Sequence, residues 1–286
     1  MIDTGKCLIC KKPNKNTYWH KEASGDIWCW CCSCDRAYDL YEYCKLSGVS
    51  QKELAKSEFA FEKETPGEVQ HIGWPAHFYE ITNPRAITGA DFVKSRGIRL
   101  EGDMYYDADY NGIAFPLYAG GYFCGAQIRL IEPWKVKGST KKIKMVTLPG
   151  TKSSLLIYNW DQEPFNRHYR GIIITEGAFD CLAIEQSLND QYGPFKNPWK
   201  VVAMNGSACS DHHLGMIKAL KDAGMTVVLA ADYDKAGFKM MAEYKEANAI
   251  THIATTEEHK VDWNDKLKEL GSKEFARFFI KRIAKI

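Results

Sequence analysis

Short apolar runs alternate with longer amphipathic segments in the C-terminal half of the chain. The apolar runs have the length of single buried strands and occupy residues 171–175, 200–204, 225–231 and 250–255. Segments with a helical pattern lie between them, at residues 178–188, 211–224 and 236–247. Strands that alternate with helices in this way predict a mainly parallel sheet with right-handed crossovers.

The N-terminal half has a different pattern. Residues 71–165 predict one helix, "TGADFVKSRGI", and short strands such as "GIAFPLY" and "FCGAQIRLI". Residues 51–70 are highly charged and reach a Pro66-Gly67 break, which predicts a linker. Residues 1–50 are rich in Cys, Trp and Tyr and end in a helical, aromatic segment, "DLYEYCKLSGVS".

Composition narrows the class of protein. An apolar content of 45% over 286 residues is enough for real cores. The net charge of +2 means that any nucleic-acid surface must come from local clustering of basic residues. No apolar run of about 18 residues occurs, and the first residues lack a signal-peptide core. We therefore expect a soluble, cytoplasmic protein without a membrane partner.

Six of the ten cysteines lie between residues 7 and 34. Cys7-x-x-Cys10 is followed by two overlapping pairs, Cys29–Cys32 and Cys31–Cys34, at spacings typical of a zinc ribbon. We predict one structural Zn²⁺ that supports folding, the alternative being a cysteine-rich core without metal. Spacing alone leaves both registers of the second pair open.

Aromatic residues surround this cysteine cluster. They are either a stacking platform for unpaired nucleic-acid bases or the filling of a small core, and the sequence favours neither. The candidates for base contacts are Trp19, His20, Trp28 and Trp30. His20 is also an alternative zinc ligand.

Carboxylates follow the predicted strands. In open parallel sheets, ligands bind at the carboxyl ends of the strands, and clustered carboxylate oxygens suit Mg²⁺ or Mn²⁺. The acidic residues at these positions are Glu176, Asp180, Asp232, Asp234, Asp262 and Asp265.

Helix capping is the ordinary role of an aspartate at such a position. That alternative stays open for Asp180 and Asp265. For Glu176, Asp232 and Asp234 we exclude it, because all three follow strands of one sheet and like charges gathered there repel without a cation.

Residues 129–152 contain seven lysines and arginines against one acid, Glu132. This segment predicts a positive face that binds nucleotide and template phosphates, the alternative being a solvated hairpin. Strand alternation puts Lys142 and Lys144 on one face, which makes them the preferred lysines.

Two sequence motifs resemble those of the Toprim domain, which primases, topoisomerases and some nucleases share. "ITEGAFD" is similar to the E-G-x-x-D motif and "LAADYDKAG" to the D-x-D-x-A-G motif, while "VDWND" resembles the third acidic motif of Toprim primases. A zinc ribbon ahead of Toprim is the arrangement of DnaG-type bacterial primases and of phage primase–helicases. "NGIAFPLYAGGYFCGAQIRLI" and "TLPGTKSSLLIYNW" resemble the phage group.

The resemblance implies an α/β protein with three domains. These are a zinc ribbon (1–50), which is a small β domain, a mixed α+β subdomain of an RNA polymerase core (71–165) and a Toprim domain with a mainly parallel sheet (166–286). In the primases that the chain resembles, an acidic residue and then an apolar one follow soon after the last zinc ligand, and Asp39-Leu40 lies at that distance from Cys34. This favours the zinc ligands Cys7, Cys10, Cys31 and Cys34.

The activity implied is that of a DNA primase, which makes short RNA primers from ribonucleoside triphosphates on single-stranded DNA for replication. Two metal ions would serve nucleotidyl transfer, with Glu176, Asp232 and Asp234 catalytic and Asp180 and Asp262 assisting. Arg129 matches a basic position of the family and is the preferred single phosphate contact.

The chain has no P-loop motif, so we expect a replicative helicase in trans, or a longer parent chain. The alternatives in function are a metal-dependent Toprim nuclease and a non-catalytic DNA-binding protein of recombination or repair.

Overall fold

The chain divides into two units, residues 1–67 and 68–286, and this boundary falls inside the predicted linker. The computed structural model describes residues 2–3, 17–21, 27–31, 36–47, 69–135, 142–160, 169–204, 206 and 210–283. In the first unit it describes the side chains of Tyr38, Glu42, Lys45, Leu46 and Ser47.

The first unit contains an antiparallel sheet in which each strand pairs with the next. Its strands are β1 (Ile2–Asp3), β2 (Thr17–Lys21), β3 (Ile27–Cys31) and β4 (Arg36–Asp39). Helix α1 (Leu40–Ser47) follows β4 directly, which confirms the predicted helical end of this region.

The zinc prediction lies largely outside the described residues. Cys7, Cys10 and Cys34 are not described, and Cys31 is described only as the last backbone position of β3. The zinc site therefore stays a prediction.

The second unit begins with a five-stranded antiparallel sheet in sequence order. Its strands are β5 (Phe78–Glu80), β6 (Tyr105–Asp107), β7 (Gly112–Ala119), β8 (Tyr122–Lys135) and β9 (Lys142–Thr147), with helix α2 (Ile87–Ser95) between β5 and β6. The central strand β7 is buried on both faces, because Phe115 packs into one hydrophobic cluster and Ala114 into another.

A four-stranded parallel sheet follows, with the strand order β11-β10-β12-β13. The strands are β10 (Gly171–Thr175), β11 (Trp199–Ala203), β12 (Thr226–Ala231) and β13 (His252–Thr255). The helices are α3 (Ala178–Tyr192), α4 (Asp211–Asp222), α5 (Lys235–Glu246) and α6 (Trp263–Ile283), the last interrupted at Gly271. The predicted parallel sheet is confirmed.

Both faces of the parallel sheet are covered, which explains why the central strands β10 and β12 are mostly apolar and buried. On one face Ile173 packs in a cluster with Phe115 and with Phe275 and Phe279 of α6. This shared cluster joins the parallel sheet to the antiparallel sheet. On the other face Leu229 belongs to a second cluster, which includes residues of α4 and α5.

Within the described part of the chain, none of the helices combines the length and the apolar character that crossing a membrane requires.

Candidate active site

A cleft of about 230 Å³ opens at the carboxyl edge of the parallel sheet. Glu176 follows the end of β10 directly and Asp232 follows the end of β12, so parallel register brings both to this edge. The antiparallel sheet forms the opposite wall. The cleft is lined by Arg96, Phe115, Gln127, Arg129, Met145, Glu176, Gly177, Ala178, Phe179, Asp180, Gly206, Asp232 and Asp262.

Two of the predicted catalytic carboxylates carry buried oxygens without a partner. Glu176 Oε2 and Asp232 Oδ1 have no hydrogen bond to any described residue. Burial raises the pKa of Glu176, and the charge of Asp234 raises it further. Burial, then Glu176 and Asp262, raises the pKa of Asp232 from 3.8 to about 8. At neutral pH the Asp232 carboxylate therefore requires a proton or a cation.

Asp180 has both a structural role and a place in the cleft. It is buried in the first turn of α3, and its Oδ1 accepts a hydrogen bond from the backbone N–H of Asn264 at 3.0 Å. Burial raises its pKa well above the usual range, and repulsion from Asp232 and Asp262 adds to this. A Cβ atom at Gly177 would lie 3.1 Å from Asp180 Oδ2, so the glycine leaves this carboxylate the space it occupies.

Asp234 caps a helix, and our exclusion of that role was wrong. It is the N-cap of α5, where Oδ1 accepts a hydrogen bond from the backbone N–H of Gly237 at 2.9 Å. The carboxylate still acts on the acidic site, because its charge raises the pKa of Glu176. Asp234 does not line the cleft itself.

The two acids of the "VDWND" motif separate in the structure. Asp262 lines the cleft, and its Oδ1 accepts a hydrogen bond from the backbone N–H of Asp265 at 2.7 Å. Asp265 is half exposed, with its carboxylate 4.0 Å from Lys268 Nζ. Asp262 thus joins the predicted site, whereas Asp265 does not line the cleft.

Two arginines face the carboxylates. Arg129 on β8 has a buried Nε without a hydrogen-bond partner among the described residues. Its pKa is lowered by burial and by the charge of Arg96, and raised by Asp262 and Asp180. Arg96 follows α2, donates a hydrogen bond from Nη1 to Asn264 Oδ1 at 3.2 Å, and lies 5.3 Å from the Phe179 ring centroid.

Sequence reasoning missed Arg96. In "KSRGI" it is one basic residue at the end of a helix, where a cation is ordinary. Only the packing of α2 against α3 and α6 brings it to the cleft.

The predicted lysines lie elsewhere on the antiparallel sheet. Met145 pairs with Arg129 across β8 and β9, and both line the cleft. Alternation along β9 puts Lys142 and Lys144 on the opposite face from Met145, where both are exposed. The two lysines share one face of the strand, as predicted. Of the three basic residues predicted to bind phosphate, however, only Arg129 lines the cleft.

The carboxylates fit a divalent cation in their chemistry. Among the residues that the structure describes, no three His, Cys, Asp or Glu side chains are already arranged as a metal centre. The unpartnered oxygens of Glu176 and Asp232 are nevertheless hard, anionic and buried, and such donors suit Mg²⁺ or Mn²⁺.

The predicted base-contact residues of the first unit are described only by their backbone. His20 pairs with Trp28 across β2 and β3, and Trp19 pairs with Cys29. Trp30 pairs with Tyr18 in the same ladder. Base contact by these residues stays a prediction.

Comparisons with known proteins agree with this architecture. Residues 173–267 match the Toprim-like family, whereas a search of curated protein sequences gave no match. The structure of a DnaG catalytic core is 16% identical, with a TM-score of 0.50 over 71% of this chain and 74% of that one.

Two further primase structures are similar. The RNA polymerase domain of Mycobacterium tuberculosis primase DnaG is 15% identical, with a TM-score of 0.51 over 71% of this chain and 78% of that one. The zinc-binding and RNA polymerase domains of Aquifex aeolicus primase are 20% identical, with a TM-score of 0.50 over 71% of this chain and 57% of that one. The chain thus carries a Toprim-like domain within the fold of DnaG primase catalytic cores.

Proposed function

We propose that this chain is a DNA primase that makes short RNA primers on single-stranded DNA from ribonucleoside triphosphates. The observation that carries the proposal is the cleft in which buried carboxylates face two arginines. Phosphoryl chemistry needs negative groups that hold cations and positive groups that hold phosphates in one place. The fold of DnaG catalytic cores and the match to the Toprim-like family support the same reaction class.

In the proposed reaction, the 3′-hydroxyl of one nucleotide attacks the α-phosphate of the next and pyrophosphate leaves. Glu176 and Asp232, which have buried oxygens without a partner among the described residues, would hold divalent cations, and Asp234, Asp180 and Asp262 would assist by their charge. A bound Mg²⁺ or Mn²⁺ supplies Lewis-acid stabilisation of the phosphate oxygens. Glu176 and Asp232 directly follow the ends of buried strands, which places them before the reaction begins.

Arg129 and Arg96 bind the triphosphate in this proposal. The charge of Arg96 repels that of Arg129 and, after burial, contributes to the depressed pKa of Arg129. An anionic ligand between them relieves that repulsion. Arg129 Nε is a buried donor without a partner among the described residues, and a phosphate oxygen would accept its hydrogen bond.

The remaining parts of the proposal rest on the sequence. Residues 1–50 bind the template, supported by Zn²⁺ at Cys7, Cys10, Cys31 and Cys34. Lys142 and Lys144 contact the template backbone from the exposed face of β9. A replicative helicase acts in trans, since the chain has no P-loop motif.

Ribonucleotide incorporation tests the proposal. Purified protein with Mg²⁺ or Mn²⁺ should extend nucleotides on a library of short single-stranded DNA templates. Asp232→Asn should abolish synthesis without unfolding the protein. The matched control is Asp222→Asn, which changes an exposed aspartate at the far end of α4 that pairs with Lys218 and should leave synthesis unchanged.

Three results would contradict the proposal. Cleavage of DNA without added nucleotides, lost in Asp232→Asn, would identify a nuclease instead. DNA binding without synthesis on any template, by folded and zinc-loaded protein, would identify a non-catalytic DNA-binding protein. Synthesis that survives in Asp232→Asn would exclude the acidic cleft as the active site.

A further inference from the structure

Two exposed aromatic rings touch each other beside the acidic site. Tyr233 lies between Asp232 and Asp234 in the chain and is 37% exposed, and Phe238 in the first turn of α5 is 46% exposed. Their ring centroids are 5.0 Å apart in an edge-to-face arrangement. Neither ring lines the cleft itself. Phenylalanine is usually buried, so an exposed aromatic pair beside the acidic residues is a candidate binding surface.

Charges of both signs surround this pair, because Asp232 and Asp234 flank Tyr233 in the chain and two lysines are close by. Lys235 and Lys260 are exposed, and among the described residues neither has an ion-pair partner. His259 Nδ1 lies 3.2 Å from the carbonyl oxygen of Tyr233, which brings the loop that carries Lys260 next to the aromatic pair.

Two acids of the same loop already have ion-pair partners, although Lys266 also pairs with Glu269. Glu257 pairs with Arg282 at 3.0 Å, and Glu258 pairs with Lys266 at 2.5 Å. The surface beside the rings therefore combines exposed aromatic faces with unpaired lysine charges. Unpaired bases and the phosphates that join them have the complementary chemistry.

We propose that Tyr233 and Phe238 stack on an unpaired base of single-stranded nucleic acid bound at the cleft, while Lys235 and Lys260 contact its phosphates. The proposal rests on the proposed function and locates one part of the strand. Tyr233 is next to Asp232 in the chain, with Cα atoms about 3.8 Å apart, so a strand that approaches the carboxylates over the turn between β12 and α5 passes the aromatic pair. Stacking of this kind tolerates every base.

Binding of fluorescent single-stranded DNA to the full chain, in EDTA and without nucleotides, tests the stacking. Tyr233→Ala and Phe238→Ala should each weaken binding about 5- to 100-fold, as expected for loss of one stacked base. Tyr233→Phe and Phe238→Tyr keep the rings and should bind like the unchanged protein. Lys235→Gln and Lys260→Gln should each reduce the slope of log K against log salt concentration by the amount expected for loss of one phosphate contact.

Two controls isolate the stacking contribution. Phe195→Ala removes a side chain that is 83% exposed just beyond the end of α3, at the opposite edge of the parallel sheet, and should leave binding unchanged. An oligonucleotide of abasic sites offers no base to stack, so the unchanged protein and Tyr233→Ala should bind it equally. Thermal unfolding of each variant checks that the fold is kept.

Unchanged DNA binding by both alanine variants would overturn the proposal. An equal loss on normal and abasic oligonucleotides would also overturn it. The assay contains neither divalent metal nor nucleotide, so its result is separate from primer synthesis. If the unchanged protein makes primers but the alanine variants bind DNA normally, only this inference is contradicted. If the alanine variants bind DNA weakly but the unchanged protein makes no primers, only the proposed function is contradicted.

Discussion

Gly237 lies so close to the carbonyl oxygen of Asp232 that a Cβ atom at position 237 would overlap it. The same glycine donates its backbone N–H to Asp234 Oδ1 at 2.9 Å. The last position of the D-x-D-x-A-G motif therefore lets α5 begin directly against the end of β12. This close approach sets the positions of both aspartates.

We expect Gly237→Ala to destabilise the protein by about 2–4 kcal/mol, because the backbone around Asp232 must move to admit the methyl group. Stabilisation by Mg²⁺ should fall as well, since both aspartates shift. Chemical unfolding with and without Mg²⁺ measures both effects.

Gly215→Ala is the matched control. A Cβ atom there meets nothing within 4 Å in the middle of α4, so it should stabilise by about 0.5–1 kcal/mol. Equal effects at the two positions would contradict the packing argument.

The stability of the metal-free protein should depend on pH through Asp232. Its folded pKa of about 8 exceeds the ordinary value of 3.8, so folding favours the protonated form. The contribution of protonated Asp232 to the free energy of unfolding is present in full below about pH 4. It is lost as the pH rises towards 8. Relative to Asp232→Asn, the unchanged protein should lose about 1–3 kcal/mol across that window.

Urea unfolding at pH 5 and pH 8 in EDTA measures this difference. Asp222→Asn should follow the unchanged protein within about 0.5 kcal/mol at both pH values, because its carboxylate is exposed. A constant difference between the unchanged protein and Asp232→Asn at all pH values would refute the electrostatic account of the cleft.

Mg²⁺ should stabilise the protein more at pH 8 than at pH 5, because protons compete with the cation for the same oxygens. At 100 times its dissociation constant the expected gain is about 2.7 kcal/mol. Glu176→Gln should remove most of this gain, whereas Asp222→Asn should retain it. Calorimetric melting with and without Mg²⁺ gives the answer, and equal stabilisation of Glu176→Gln would place the cation elsewhere.

Arg129 and the β9 lysines should have separable effects. Arg129→Met should weaken binding of ribonucleoside triphosphate about 10- to 100-fold, and Arg129→Lys should restore only part of it, since lysine lacks the guanidinium geometry. Lys142→Met with Lys144→Met should change nucleotide affinity by less than about threefold. In the same double variant, the slope of log K against log salt concentration for single-stranded DNA binding should become less steep by about 1.4, which corresponds to two phosphate contacts. Titration calorimetry and fluorescence anisotropy measure the two effects, and a large nucleotide defect in the lysine pair would reverse the assignment.

The zinc register has a direct test. Cys31→Ser should lose bound zinc and most of the folding of residues 1–50, because structural zinc supplies much of the stability of such modules. Cys29→Ser should keep the metal. Zinc content by atomic absorption on both purified variants decides the question, and loss of zinc in Cys29→Ser alone would establish the Cys29–Cys32 register.

Much of the fold was predictable because local pattern and topology agree. The four parallel strands lie within about two residues of the apolar runs, since β10, β11 and β12 are buried almost throughout. The placement of Glu176, Asp232 and Asp262 at one edge followed from the same topology, because parallel strands end together. The capping role of Asp234 was missed, as a residue can follow a strand and begin a helix at once.

The sequence by itself determined the four parallel strands, the helices between them and the edge at which the acids gather, because these follow from short-range periodicity and chain direction. Only the tertiary structure decided which basic side chains line the cleft together with those acids. Arg96 reaches the cleft by contacts with Asn264, 168 residues away in the chain, and Lys144 is turned from it by the pairing of Met145 with Arg129. Such choices depend on how distant elements pack, and local pattern carries no information about that.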